Sequence, residues 1–455
     1  MNYHFIAIGG SAMHNLAIAL HKKGDVITGS DDEIFEPSRT RLANYGLLPE
    51  QIGWFPEKIH SGIDAIVLGM HAKTDNPELL KAKALKIPIF SYPEFLYQQT
   101  QNKTRVVIGG SHGKTSTTAM IMHVLKHMNR KFDYMVGAQL EGFETMVDFN
   151  DDADIAVFEG DEYLTSPIDS RPKFHLYKPH IALITGIAWD HINVFPTFDI
   201  YVEQFQKFID LIEDKGSLIY FKNDEQLQRL VNLSKKNIRM LPYQTHDHRI
   251  DESKTWLKTK DGDWPILIFG EHNLQNISGA LRVCKLLGIN ENDFYRAIGS
   301  FKGAAKRLQL LSKSDTLTVY QDFAHSPSKL KATIDAVRNQ FPQKKIVACM
   351  ELHTFSSLKK EFLIQYRGTM QSADTAMVFY SHHALALKKL EPLTDEIIDE
   401  AFDSKGLKVF SDSDELKKEL FFMDFSNSIL LLLSSGNFDG INLKDLAESL
   451  SNKWQ

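Results

Sequence analysis

Cysteine is almost missing from this chain of 455 residues: only Cys284 and Cys349 occur, with no paired spacing. That excludes a disulfide framework and a Cys-based zinc site, and it fits a reducing compartment. A basic excess is missing too. The net charge is −6, which argues against a general nucleic-acid coat. Long apolar runs are absent; the longest aliphatic run, ILLLL at 429–433, is far below the ~20 residues that cross a bilayer, so no membrane partner is expected. The opening MNYHFIAIGG has neither a basic n-region nor a long apolar h-region, so a cytoplasmic location is expected. No short repeat and no low-complexity tract interrupts the chain. An intact G-x-G-x-x-G is also lacking at 8–15, where the sequence reads IGGSAMHN, and this removes the main support for a nicotinamide dehydrogenase.

What is present is ordinary globular composition, with 43% apolar and 24% charged residues, and enough length for about three domains. Strand-like runs alternate with helical stretches throughout: YHFIAI (3–8), DVITGSD (25–31), DAIVLGM (64–70) and IPIFSY (87–92). After a polar QQTQNKT (98–104), which reads as a linker, come RVVIGG (105–110), ADIAVFE (153–159) and HIALITG (180–186), then a helix over 276–288. A third series holds LTVYQDFAH (317–325), KIVACME (345–351), TAMVFYS (375–381) and SILLLLSSG (428–436). This rhythm predicts an α/β fold with parallel sheets covered by helices. The expected domains are 1–100, 101–302 and 303–455.

VVIGGSHGKTSTTAMIMHVL (106–125) carries the most chemistry. An apolar strand runs into a glycine turn, then Lys-Thr, then an amphipathic helix. Backbone N–H groups and the helix N-terminus suit a phosphate, Lys114 can reach the outer phosphates, and the Thr115 hydroxyl can ligate Mg²⁺. The spacing is a short form of the general P-loop, since Ile108 stands where that pattern has its first glycine. Gly110, Ser111, His112, Gly113, Lys114, Thr115 and Ser116 are thus the candidate ATP contacts. A bare glycine turn with an exposed lysine is the bland alternative.

Two further strands end in chemistry: ADIAVFEGDE in Glu159, Asp161 and Glu162, and PHIALITGIAWDH in Asp190 and His191. Ligands of parallel sheets collect at the carboxyl ends of the strands, so both ends should face the phosphate loop. Glu159, first after its strand, is the best-placed metal ligand, with His191 and Thr115 beside it. Arg171 and Lys173 follow closely. They either capture acidic substrate groups or form salt bridges to the neighbouring acids.

Taken in order, GSHGKTSTT (110–118), FEGDE (158–162), DH (190–191), GEHNLQN (270–276) and DFAHSP (322–327) resemble the motifs of the Mur ligases, ATP-dependent amide-forming enzymes of peptidoglycan synthesis. The resemblance covers essentially the whole chain. It implies a Rossmann-like N-terminal domain for a UDP-sugar, a central P-loop ATPase-like domain, and a Rossmann-like C-terminal domain for the incoming amine. It implies ATP contacts at His272, Asn273 and Asn276, with Gly270 in the same motif, and at Asp322, which matches the acid that holds the ribose. Lys306 and Arg307 match a basic pair at the hinge, and Arg307 joins Lys114, Glu159 and His191 as a catalytic candidate. Gly10, Ser11 and His71 are implied on the UDP-sugar side, and His325 and His353 on the amine side. Ala12 and Asn15 stand where the family has glycines.

Within the family, Tyr163 and the following LTSPIDSRPKFHLY, with LLSSGNFDGI at 432–441, resemble the branch that attaches a ready-made muropeptide, the murein peptide ligases. CMELHTF (349–355) occupies the place of that branch's LEPRSN. The expected substrates are therefore UDP-N-acetylmuramate and L-alanyl-γ-D-glutamyl-meso-diaminopimelate, with ATP and Mg²⁺, in an enzyme that is a monomer or weak dimer. An alanine-adding ligase and a non-catalytic nucleotide or muropeptide sensor are the alternatives. Lys114→Ala is expected to abolish ligation with the fold intact.

Overall fold

A computed structural model describes residues 1–166, 168–189 and 194–454. It has two compact units, residues 1–246 with 275–298, and residues 247–274 with 299–455. The candidates Asp190 and His191 lie outside the described residues. No helix among the described residues is long and apolar enough to cross a membrane.

The first unit holds two parallel sheets. The N-terminal one has four strands in the order Val26–Ser30, Asn2–Ile6, Ala65–Leu68, Ile89–Ser91. Seven strands make the second: Arg239–Tyr243, Ser217–Phe221, Ile181–Ile184, Thr104–Gly109, Ile155–Glu159, Asp133–Met135 and the antiparallel edge Val147–Asp148. One apolar core runs through both, from Phe5, Leu20 and Phe95 to Phe158, Phe174, Tyr201 and Phe208. Local sequence fixes the helices that cover them. Helix Ser11–Lys23 ends on Gly24 in the left-handed conformation, which an L side chain avoids. Helix Tyr92–Gln99 starts on a reciprocal Ser91–Glu94 capping box.

That last helix corrects the expected linker. Gln98 and Gln99 are helical, Thr100 closes the helix by donating its hydroxyl to Leu96 O at 2.8 Å, and Thr104 already begins a strand. Asn15, one of the residues replacing a family glycine, is buried. Its Oδ1 accepts from the N–H of Met146 at 3.0 Å, so it ties the first helix to the edge of the second sheet.

In the second unit a six-stranded sheet runs Gln309–Lys313, Leu317–Asp322, Ser428–Leu433, Lys345–Leu352, Thr375–Tyr380, Lys408–Phe410, with only the first strand antiparallel. A three-stranded antiparallel sheet, His248–Asp251, Lys254–Thr259 and Gly262–Ile266, has no counterpart in the sequence reading. Its residues are mostly polar and half-exposed, so apolar alternation is weak. Its first turn places Glu252 (φ 48°) and Ser253 (φ 61°) in the left-handed region that Asn-Gly usually fills.

Candidate functional site

Strand Thr104–Gly109 delivers the chain into the glycine loop, and helix Lys114–His127 leaves it. Gly110 has φ +127° and Gly113, the helix N-cap, φ +78°. Space as well as conformation demands glycine here. A Cβ on Gly110 would lie 2.9 Å from the Thr185 nitrogen and 3.2 Å from Gly186 O, and one on Gly113 would lie 3.1 Å from Asn276 Cγ. Asn276, placed by sequence among ATP contacts, thus packs directly on the loop. Ser111 N–H donates to Gly186 O at 3.0 Å, which stitches the loop to the end of the neighbouring strand.

The parallel register sets Ile108 opposite Glu159, so the strand end meets the loop as its sequence position suggests. Glu159 is buried and accepts from the Thr115 hydroxyl at 2.8 Å and from Gly137 N–H at 2.7 Å. Burial raises its pKa, against the pull of those donors and of Lys114. A buried carboxylate joined to a hydroxyl at a helix start is a hard-oxygen pair of the kind Mg²⁺ takes, so the residues present fit that ion. Among the described residues no group of three or more metal-ligating side chains gathers.

Lys114 does not point into open space. Its Nζ donates to Glu162 Oε2 at 2.6 Å and to Gly110 O at 2.7 Å. Burial would lower its pKa, but Glu162, with Asp161 and Glu159 behind it, raises it, so the ammonium is secure. Tyr201 donates to Glu162 Oε1 at 3.1 Å and lies 2.8 Å from the Ser111 hydroxyl. Asp161 pairs with Lys173 at 2.7 Å; burial opposes ionisation, yet Lys173 and Lys114 bring its pKa down to about 2. Arg171 chelates Asp169, with Nη2 2.6 Å from Oδ2, and stands 3.6 Å from Glu94. The four acids of 159–169 are therefore not equivalent: one holds a hydroxyl, one holds the loop lysine, and two hold the bases that follow.

On the N-terminal sheet, Gly10 caps the first helix and Ser11 begins it. Gly9 N–H donates to the buried Asp31 at 2.6 Å, and His71 is exposed after its strand.

The second unit gathers the remaining candidates around the carboxyl ends of its sheet. Asp322 accepts from Leu308 N–H at 2.7 Å and from Thr333 Oγ1 at 3.3 Å. Burial raises its pKa, and Arg307 and His272 oppose the rise. Desolvation lowers the pKa of His272, and Asn273 donates to Phe269 O at 2.8 Å. Arg307 lies over the Phe323 ring at 4.6 Å, while Lys306 (φ 56°) and Leu308 (φ 44°) make the turn that carries it. His325 Nδ1 sits 3.0 Å from Phe323 O. His353 Nδ1 is 3.4 Å from the buried Glu351, whose other oxygen accepts from Phe438 N–H at 2.9 Å and from the Ser434 hydroxyl.

Sequence reasoning missed the partners rather than the centres. Glu162 was visible but not singled out from Asp161. Tyr201 lies on helix Phe198–Asp210, with no motif around it. Gly137 and Glu351 show their roles only through the groups they meet.

Similarity to known proteins bears on the whole chain. Residues 2–104 match the Mur ligase family catalytic domain, 108–284 the Mur ligase middle domain, and 306–436 the Mur ligase glutamate ligase domain. A UDP-N-acetylmuramate–L-alanine ligase of Lactiplantibacillus plantarum is 30% identical over 370 residues, covering 78% of this chain and 79% of that one. Among solved structures, a UDP-N-acetylmuramate–alanine ligase from Thermotoga maritima superposes with a TM-score of 0.72 at 19% identity, over 100% of this chain and 99% of that one. A murein peptide ligase from Psychrobacter arcticus gives 0.66 at 21% identity, over 99% of both. These two likenesses establish the shared fold.

Proposed function

Because the chain belongs to the Mur ligase family of ATP-dependent ligases, we propose that it joins an amine to the carboxylate of UDP-N-acetylmuramate through an acyl phosphate. The observation that carries this reading is the start of helix Lys114–His127, with Lys114 and Thr115, beside the end of strand Ile155–Glu159, where Thr115 meets Glu159 on a loop whose Gly110 and Gly113 take positive φ.

Amide formation from a carboxylate in water is uphill and needs activation. In the proposed route a carboxylate oxygen of the sugar attacks the γ-phosphorus of ATP, the bond to the β,γ-bridging oxygen breaks, and ADP leaves. The amine then attacks the acyl carbon. The tetrahedral adduct expels phosphate, and the nitrogen gives up a proton. Lys114 stabilises charge on the transferring phosphoryl group. Thr115 and Glu159, with His191, are the residues that would hold Mg²⁺, which when bound neutralises phosphate charge. His272, Asn273, Asn276 and Asp322 are assigned to the nucleoside, and Arg307 to the reacting groups. Gly10, Ser11 and His71 are assigned to the UDP-sugar, and His325 and His353 to the amine. The three regions 1–100, 101–302 and 303–455 take sugar nucleotide, ATP and amine in that order.

L-alanine is the amine that the relatives favour, since the proteins at 26–30% identity are described as UDP-N-acetylmuramate–L-alanine ligases. The peptide reading rests on the resemblance of the segment from Tyr163 to Phe174, where strands Leu164–Ser166 and Asp169–Pro172 pair antiparallel, and of LLSSGNFDGI (432–441) to the murein peptide ligases. Phosphate release separates the two. With UDP-N-acetylmuramate, ATP and Mg²⁺, release should require an added amine, and comparing L-alanine with the tripeptide identifies it. No release with either refutes the ligase reading.

A further inference from the structure

The P-loop lysine has a directional hydrogen-bond chain behind it. Ala188 N–H donates to Ser111 Oγ at 2.8 Å. Ser111 Oγ lies 2.8 Å from Tyr201 Oη, which donates onward to Glu162 Oε1 at 3.1 Å. Lys114 closes the chain by donating to Glu162 Oε2. Since Tyr201 spends its proton on Glu162, the Ser111 hydroxyl is the donor between the two. Ser111, Tyr201 and Glu162 are all buried, so the path is shielded from water. It joins both ends of the loop, Ser111 at its entry and Lys114 at its exit, through one carboxylate.

We propose that Glu162, braced by Tyr201, is a positioning residue for Lys114: it aims the ammonium along the loop and competes with the phosphates of the nucleotide for it. The inference rests on the reading of this loop as a phosphate site. Its consequences run in two directions. The carboxylate beside the ammonium repels incoming phosphates, so it weakens ATP binding. The same carboxylate, with Gly110 O, fixes where Nζ sits, so it favours the transfer step. A group of purely structural importance does not split binding and turnover in this way.

Glu162→Gln keeps the shape: its Oε1 can still accept from Lys114, while its amide N–H turns to Tyr201, whose hydroxyl then accepts it and donates to Ser111 instead. In the full chain with Mg²⁺, ATP affinity by calorimetry should tighten roughly tenfold, the low end of what one close charge does to an ionic equilibrium. Turnover should fall by about tenfold, less than the roughly 10²–10³-fold loss on removing a charge-stabilising donor, because Lys114 is displaced and not absent. Glu162→Asp, which restores the charge, should return ATP affinity to the wild-type value. Tyr201→Phe keeps the charge and cuts the link to Ser111, so turnover should drop with ATP affinity unchanged. Weaker or unchanged ATP binding in Glu162→Gln overturns the proposal while leaving the phosphate reading in place. ATP binding in the double variant Lys114→Ala/Glu162→Gln as tight as in Glu162→Gln alone overturns the phosphate reading itself.

Discussion

Removing the loop lysine should damage the fold, and the damage should depend on pH. Lys114→Ala leaves the Glu162 carboxylate, with no exposed side-chain surface, without the ammonium 2.6 Å away. Breaking a buried pair from one side typically costs about 3–5 kcal/mol. Protonation of the carboxyl limits the cost. At pH 7, protonating a glutamate of ordinary pKa near 4.3 costs about 3.7 kcal/mol, at 1.36 kcal/mol per unit, and at pH 5 only about 1 kcal/mol. Lys114 itself stays charged at both values, because its pKa lies above the ordinary one. The thermal midpoint of the unit that contains the loop should therefore drop by roughly 7–15 °C at pH 7 and by a few degrees at pH 5, at about 2–4 °C per kcal/mol. Adding Glu162→Gln to Lys114→Ala should recover most of the loss at pH 7. Scanning calorimetry at the two pH values, on wild type and both variants, checks this. Small, equal shifts at pH 5 and pH 7 would refute the claim that Glu162 is a desolvated carboxylate held by Lys114. The same scan tests the expectation of an intact fold in the single variant, and the double variant tests the lysine in ATP binding without that loss of stability.

Glu159→Ala should raise the Mg²⁺ concentration needed for half-maximal ligation; an unchanged titration removes Glu159 from the metal. Gly110→Ala should abolish ATP binding measured by calorimetry, because its Cβ meets the backbone of Thr185 and Gly186, which cannot rotate away. Asp161 titrates at about 2 in the folded chain, below the unfolded value near 3.9, so its contribution is complete above about pH 4 and is lost as pH falls towards 2. Lys173→Met should move that carboxyl titration upward in ¹³C NMR, and an unmoved midpoint would show that the pair does not control it. In the N-terminal sheet, His4 Nε2 and Glu78 Oε2 are 3.2 Å apart and fully buried. Glu78→Leu takes the acceptor from buried His4 and from Phe55 N–H, 2.7 Å from Oε1, and should cost about 2–6 kcal/mol in denaturant unfolding, at about 1–3 kcal/mol per orphaned group; an unchanged unfolding midpoint would contradict this.

Much of the fold was legible because parallel strands here are short apolar runs followed by helices. The parallel β-strands expected from the sequence occur, within a few residues of their assigned ends. The polar three-stranded sheet was illegible for the converse reason: its strands bury little, and its first turn lacks the usual residues. In the site, glycines, Lys114, Thr115 and Glu159 stood out because each is a residue type forced by one local job.

The partners of those residues did not stand out. Glu162 looks like any acid in a run of acids, and Tyr201 like any aromatic on an amphipathic helix. Sequence by itself determined the class of fold, the position of the glycine loop and the family, since backbone freedom, apolar periodicity and motif order are properties of neighbours along the chain. Only the tertiary structure decided which acid holds Lys114, that Tyr201 meets the same acid, and what Asn276 rests against. Charge pairing and desolvation act across space, and residues 39 or more positions apart meet here only after the sheet has formed.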